Sequence, residues 1–316
     1  MSKKTVRPVQ YRSGRLCLAI CAAVLLASAP PAAAAPAAQK SFASPEEGTT
    51  ALVEAVKAND QPALHAILGP HGGRLISSGD AVADERSREA FLKAYADANK
   101  LVHDGDTHAT LVIGKDEWPM PIPLVKSQAG WRFDTRKGEK EILARRIGRN
   151  ELAAIKVCLA IVDAEREYAA LDPDGDGVLE YAPKFVSAPG KRDGLYWQTT
   201  ADEPLSPLGP LLAAATKEGY ARSVSRPLAP YHGYFYRILT RQGKDAPGGA
   251  YDYRVKGKMI GGFAMIAYPA RYGASGVMSF LVNHDGVVYE KNLGKDTAAI
   301  ASQIKAFDPD ASWKRP

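Results

Sequence analysis

The chain has 316 residues, 46% hydrophobic and 24% charged, the make-up of a protein that folds around a sizeable core rather than of a disordered or fibrous one. Its 41 Lys and Arg outweigh 35 Asp and Glu to give +6, but Lys3, Lys4, Arg7, Arg12 and Arg15 all precede any acid. Without that leading segment the balance is 36 against 35, or +1, which excludes the overall basic footprint of a nucleic-acid binder.

The five cations are followed by an uncharged apolar run at 16–29, by Pro30-Pro31, and by Ala32-Ala33-Ala34. A basic start, a short apolar stretch and small residues for a peptidase predict a secretory signal peptide over 1–34. The run is shorter than the roughly 20 residues that cross a bilayer. The expected product is periplasmic or secreted, with no membrane span after signal removal. Cys17 and Cys21 belong to the leader, so Cys158 is left alone and no intramolecular disulfide is expected.

An Ala/Pro linker at 35–41 precedes a first unit expected over 42–138. Ser44-Pro45-Glu46-Glu47 combines a capping serine, proline at the first helical position and a glutamate that reaches back, so a helix starts there. Asp60 is expected to cap a short second helix that ends at Gly69-Pro70. Asp84 is expected to open a third helix, with Phe91, Leu92 and Tyr95 on one side. The period then changes to two. His108, Thr110 and Val112 alternate with Ala109, Leu111 and Ile113, residues 120–125 read as an edge strand because Pro121 and Pro123 cannot donate, and Trp131 to Asp134 form a further strand. Helices followed by a curved antiparallel sheet make an α+β unit. Its pattern resembles the cystatin-like or nuclear-transport-factor-like cone, a fold that hosts many activities.

The second unit is expected over 139–316. Asn150 is expected to cap a long helix to about Tyr168, with Leu152, Ile155, Leu159 and Val162 as the buried stripe and Cys158 as a buried structural thiol beside it. A Gly/Pro-rich stretch at 186–210 and a helix over 211–220 follow. Strands are expected at 231–240, 249–255, 262–268, 276–282 and 286–290, the last two joined by an Asp285-Gly286 turn. A long helix before an antiparallel meander resembles the globular part of type IV pilin-like proteins, whose mature chains begin with a membrane-spanning helix that is not expected here. No internal repeat is present.

Four constellations bear on chemistry. Asp172, Asp174 and Asp176, with Gly177 and then Glu180, match positions one, three, five, six and nine of an EF-hand loop. Position twelve, normally a bidentate Glu, is Pro183. The expectation is a low-affinity calcium loop, with a plain Asp/Gly turn as the alternative. His103, Asp104, Asp106 and His108 carry metal-ligating groups, but in an extended chain the two histidines face opposite sides. Arg145 and Arg149, four apart, would clamp a carboxylate or phosphate if helical; an inter-domain joint paired with acids is the plainer reading. The aromatic stretch around His232, Tyr231 to Tyr236, offers ring surface for a sugar, though strands favour such residues for packing alone. No nucleophile elbow accompanies His232.

Several strings are distinctive: WPMPIPLV at 118–125, RRIGRNEL at 145–152, GLYW at 194–197, SPLGP at 206–210, YHGY at 231–234 and GVMSF at 276–280. On these the chain resembles the exported bacterial family catalogued as domain of unknown function 2950, over nearly all of the chain after the leader. The resemblance implies export in a Gram-negative-type bacterium and a two-part architecture. It brings no activity and no catalytic residue. The leading expectation is therefore a non-enzymatic binding or scaffolding module of the envelope, acting on an unidentified envelope protein or small ligand. One alternative is a periplasmic hydrolase or other enzyme with a site in the first unit's cone or at the junction, drawing on His103, Asp106, Arg145 and His232. Another is a pilin-like accessory protein of an assembly apparatus.

Overall fold

The computed structural model describes residues 39–316 apart from 174, 201 and 221–228. The expected leader, residues 35–38 of the linker, and Asp174 lie outside the described residues. The described residues form one compact unit of mixed helix and antiparallel sheet, an α+β protein. Among the described residues no helix is long and apolar enough to cross a membrane.

The first helices form where their caps lie. Helix α1 (Pro45–Lys57) starts on Ser44, whose Oγ accepts the Glu47 N–H at 3.1 Å, while Glu47 accepts the Ala43 N–H at 2.8 Å. Helix α2 (Gln61–Leu68) starts on Asp60 in the same way. A four-residue turn, α3 (Gly73–Ile76), precedes α4 (Ala81–Asp97). The cap of α4 is Asp80 and not Asp84. Asp80 accepts the Ala83 N–H at 3.0 Å, whereas both oxygens of Asp84 face the Ser78 N–H.

The first sheet contains β1 (Asn99–Asp104), β2 (His108–Ile113), β3 (Trp118–Pro119), β4 (Leu124–Ser127) and β5 (Gly130–Phe133), in the order β1-β2-β4-β5 with β3 also on β2. The expected edge strand at 120–125 is an interior strand that begins only at Leu124 and pairs with both β2 and β5. Pro121 and Pro123 are excluded from the ladder because they lack N–H groups, and the first residue past them is fully buried.

Helix α5 (Thr135–Leu171) runs 37 residues, beginning fifteen residues before the expected cap at Asn150. Residues 135–149 contain no proline and many good helix formers. Gly138 lets the helix lie on the preceding loop, since a Cβ there would come within 2.5 Å of the Pro121 carbonyl. The buried stripe also differs from the expected one. Leu152 is 64% exposed and Leu159 40% exposed, while Ala154, Cys158, Ile161, Val162, Glu165 and Tyr168 face inward. The real stripe contains a small residue, a thiol and an acid, so leucine spacing alone picks the wrong phase. Burial pushes the Cys158 thiol up to about 12 and leaves it unreactive at neutral pH.

After α6 (Gly209–Lys217), the second sheet is a four-stranded antiparallel meander. It holds β6 (Tyr234–Leu239), β9 (Ala264–Pro269), β10 (Met278–Asn283) and β11 (Val288–Asn292), each beside the next. The Asp285-Gly286 turn closes the last hairpin, with Val282 opposite Val288. The expected strand at 249–255 shrinks to β8 (Tyr251–Asp252), paired with β7 (Arg241–Gln242) apart from the main sheet. A short α7 (Thr297–Gln303) follows β11. Two apolar clusters fill the unit. One gathers α1, α2 and the first sheet around Leu124 and Phe133. The other gathers the C-terminal half of α5 and the second sheet around Cys158, Tyr234 and Phe280.

Candidate functional site

Asp80 joins three stretches of chain distant in sequence. It is buried, and besides capping α4 its Oδ2 accepts the Tyr220 hydroxyl at 2.9 Å and the Gly233 N–H at 2.7 Å. His232 and Gly233 take left-handed backbone, φ 50° and 78°. Gly233 is required there, since a Cβ would lie 2.7 Å from Asn150 Nδ2. For His232 the conformation is strained. Its ring packs on Tyr231 at 4.1 Å, and its Nε2 lies 3.5 Å from Glu218 Oε2, which also takes Arg86 Nη1 at 3.0 Å. Burial holds the imidazole below the usual histidine range, against the opposing pull of Glu218 and Asp80. Burial likewise raises the Tyr231 phenol to about 12, with Glu218 adding to it.

The other residues expected from sequence to serve catalysis are engaged elsewhere or exposed. His103 lies on β1, 3.7 Å from Glu46. Asp106 is exposed in the β1–β2 turn. His103 pairs across the ladder with Ala109 and Asp104 with His108, so the two histidines occupy opposite faces. Arg145 is exposed and bonds Glu141 one turn back at 2.6 Å. Arg145 is thus committed to Glu141 and not to a shared clamp with Arg149.

The acidic turn follows α5. Asp172 ends the helix with φ 43°, and its Oδ2 accepts the Gly177 N–H at 2.9 Å. Asp176 accepts the Val178 N–H at 2.9 Å. Lys258 lies between two of the expected calcium ligands, its Nζ 2.6 Å from Asp176 Oδ2 and 3.3 Å from Glu180 Oε1. Lys258, with the Val178 N–H, holds the Asp176 carboxyl below the usual range. Among the described residues no three metal-ligating side chains converge, and Asp174 is not one of those residues. The oxygens suit calcium in kind, but two of them already face a built-in cation.

A cleft of about 500 Å³ opens in the Gly/Pro-rich stretch, with Lys191, Arg192, Tyr196, Trp197, Gln198 and Glu203 on its walls. Its backbone is held by Ser187 N–H to the Tyr196 carbonyl at 2.8 Å and by the Tyr168 hydroxyl to the Arg192 carbonyl at 2.8 Å. Arg192 lies over the Trp197 ring at 5.4 Å and bonds Glu203 at 3.3 Å. The side chains of Lys191 and Gln198 are exposed and make no hydrogen bond among the described residues. The sequence signal for this cleft is Tyr196-Trp197 close to Lys191-Arg192 in a stretch rich in turn residues. Its closure depends on the Val186–Tyr196 bridge, which no local pattern announces.

Fold and sites together define an α+β protein with a polar junction and a mixed aromatic and basic cleft. The chain belongs to the family described as Protein of unknown function (DUF2950), whose profile matches residues 39–315. Comparison with curated proteins and with solved structures gives no match.

Proposed function

We propose that the chain is exported on a signal peptide over residues 1–34 and acts in the bacterial envelope as a non-enzymatic binding module. The 186–203 cleft is its ligand face. One observation carries this reading: ring surface from Tyr196 and Trp197 stands beside Lys191 and Gln198, whose side-chain polar groups are unengaged. The cleft has the size of a small-molecule site. Aromatic rings suit the C–H face of a sugar, and Lys191 and Arg192 suit a carboxylate on the same ligand. A carboxylated saccharide, as in the peptidoglycan of the envelope, has this chemistry. The cystatin-like or nuclear-transport-factor-like cone of the first part and the pilin-like arrangement of the second enter as architecture and carry no activity. Binding of isolated peptidoglycan by the purified chain, and its loss in Lys191→Glu, test the reading.

An enzyme reading is favoured by one feature, the strained His232 beside Glu218. Hydrolysis of ester or glycoside substrates by the purified chain, abolished in His232→Asn, would establish it instead.

The acidic turn is further proposed to bind calcium with a dissociation constant of order 10⁻⁴ to 10⁻³ M, in competition with Lys258. Calcium at about 10 mM would then raise the melting temperature of the wild type by a few degrees over EDTA. Lys258→Gln should enlarge that rise, and magnesium should not reproduce it. An equal response in variant and wild type would remove Lys258 from the site.

A further inference from the structure

Arg146 on α5 and Arg271 on the loop after β9 both bond the 74–77 segment at α3, and the charges of Arg149 and Arg271 both act on Arg146 at this corner. Arg146 gives its two Nη groups to the Arg74 and Leu75 carbonyls at 2.7 and 2.9 Å. Arg271 gives Nη1 to the Ser77 carbonyl at 3.0 Å, so the two guanidiniums grip the same short segment. Arg149 stands one turn beyond Arg146 on α5. The next residue, Asn150, donates to the Ser275 carbonyl at 2.9 Å, and Ser275 bonds back to the Arg271 backbone. These bonds fix the α5 backbone beside the Arg271 loop; Arg149 itself is exposed, and among the described residues its side chain makes no hydrogen bond or ion pair.

None of the three arginines pairs with a carboxylate among the described residues, because the acids nearby are committed. Glu139 holds Arg74 at 2.6 Å, Glu218 holds Arg86 and His232, and Glu151 takes the Val277 and Met278 N–H groups. Asp84 faces the Ser78 N–H with both oxygens, and Asp80 is occupied by Ala83, Tyr220 and Gly233. Arg146 is half-buried, and such an arginine is ordinarily paired with an acid, while Arg149 and Arg271 are exposed. Here burial already lowers the Arg146 pKa, Arg149 and Arg271 lower it further, and Asp84 alone counters them.

We propose that this corner binds a phosphate group. The Nε groups of Arg146 and Arg271 and all the donors of Arg149 remain available. A phosphate offers three acceptor oxygens and close to two negative charges, which answers three guanidiniums better than a single carboxylate does. The site lies on other residues than the saccharide cleft and does not depend on it.

Titration calorimetry of the purified chain with inorganic phosphate, against chloride at matched ionic strength, tests the proposal. A saturable single-site isotherm is expected. Arg149→Gln should weaken it at least tenfold without loss of folding, since the exposed Arg149 side chain makes no hydrogen bond or ion pair among the described residues. Arg145→Gln, whose side chain is already paired with Glu141, should leave it unchanged. Flotation with phosphatidylglycerol against phosphatidylcholine vesicles separates the sources: Arg149-dependent flotation assigns a lipid headgroup, and calorimetric binding without flotation assigns a soluble phosphate ligand. Absence of both, or equal binding by Arg149→Gln, overturns the proposal.

Discussion

Replacing Asp80 by alanine should cost the fold about 3–5 kcal/mol, more than truncating any other side chain of the polar junction. The helix cap contributes about 1 kcal/mol. The Tyr220 hydroxyl and the Gly233 N–H would each lose their acceptor, at about 1–3 kcal/mol per buried unsatisfied group. The three terms share one network and will not add fully. Against a total stability of order 5–15 kcal/mol, the variant should be close to unfolding. Asp80→Asn should fall between, because its amide oxygen still caps α4 while its NH₂ faces both the Gly233 N–H, which it opposes, and the Tyr220 hydroxyl, which can turn to accept from it. Asp84→Ala, which removes the acceptor of Ser78 and the charge that faces Arg146 but leaves no buried hydroxyl stranded, should cost less than Asp80→Ala. Urea unfolding at pH 7 measures all three, and a loss under about 1 kcal/mol for Asp80→Ala would remove Asp80 as the tie between α4 and the 220–233 segment.

Glu165→Gln should stabilise the protein at neutral pH, by an amount that grows with pH. Glu165 is fully buried on α5; its Oε2 accepts the Ala182 N–H at 2.8 Å and its Oε1 has no hydrogen-bond partner among the described residues. Burial pushes its carboxyl well above the usual range, and the Ala182 bond offsets this only in part. The unfolded chain loses this proton near pH 4.3, whereas the folded chain keeps it to higher pH. The folded state thus binds more protons above that point. The stability this group contributes is complete below about pH 4.3 and is lost as pH rises towards the folded pKa. Glutamine keeps the acceptor for Ala182 and cannot ionise. The gap between variant and wild type should therefore open above about pH 4.3, with a slope of up to about 1.4 kcal/mol per pH unit. Chemical unfolding from pH 4 to 8 reads it directly, and a gap that does not change with pH would show that Glu165 does not hold its proton.

Elements with strong local signals are legible from sequence: the Ser44 and Asp60 caps, the alternating strand at 108–113 and the Asp285-Gly286 hairpin all stand where composition puts them. Sequence and structure diverge where tertiary contacts override local preference. Asp80 and Asp84 are equally good caps by type, and the choice falls to Asp80 because Tyr220 and Gly233 meet it from far along the chain. The start of α5 is hidden because Asn150 resembles a cap, yet its amide reaches instead to Ser275. The inward face of that helix is hidden too, because Glu165 and Ala154 are buried where Leu152 and Leu159 are not. Of the sites, the acidic turn is visible as a motif, but Lys258 lies 78 residues from Glu180 and cannot be read from it. The arginine corner is half visible: the RRIGR string is plain, while Arg271 and the paired state of Arg145 are not.

Sedimentation of the purified chain with isolated peptidoglycan decides whether the 186–203 cleft binds a saccharide carrying carboxylates. Saturable binding is expected, and it should be lost in Trp197→Ala and in Lys191→Glu, the second of which changes an exposed side chain without hydrogen bonds and leaves the fold intact. Sedimentation no greater than without peptidoglycan, or unaltered by Lys191→Glu, would show that the cleft is not a saccharide site.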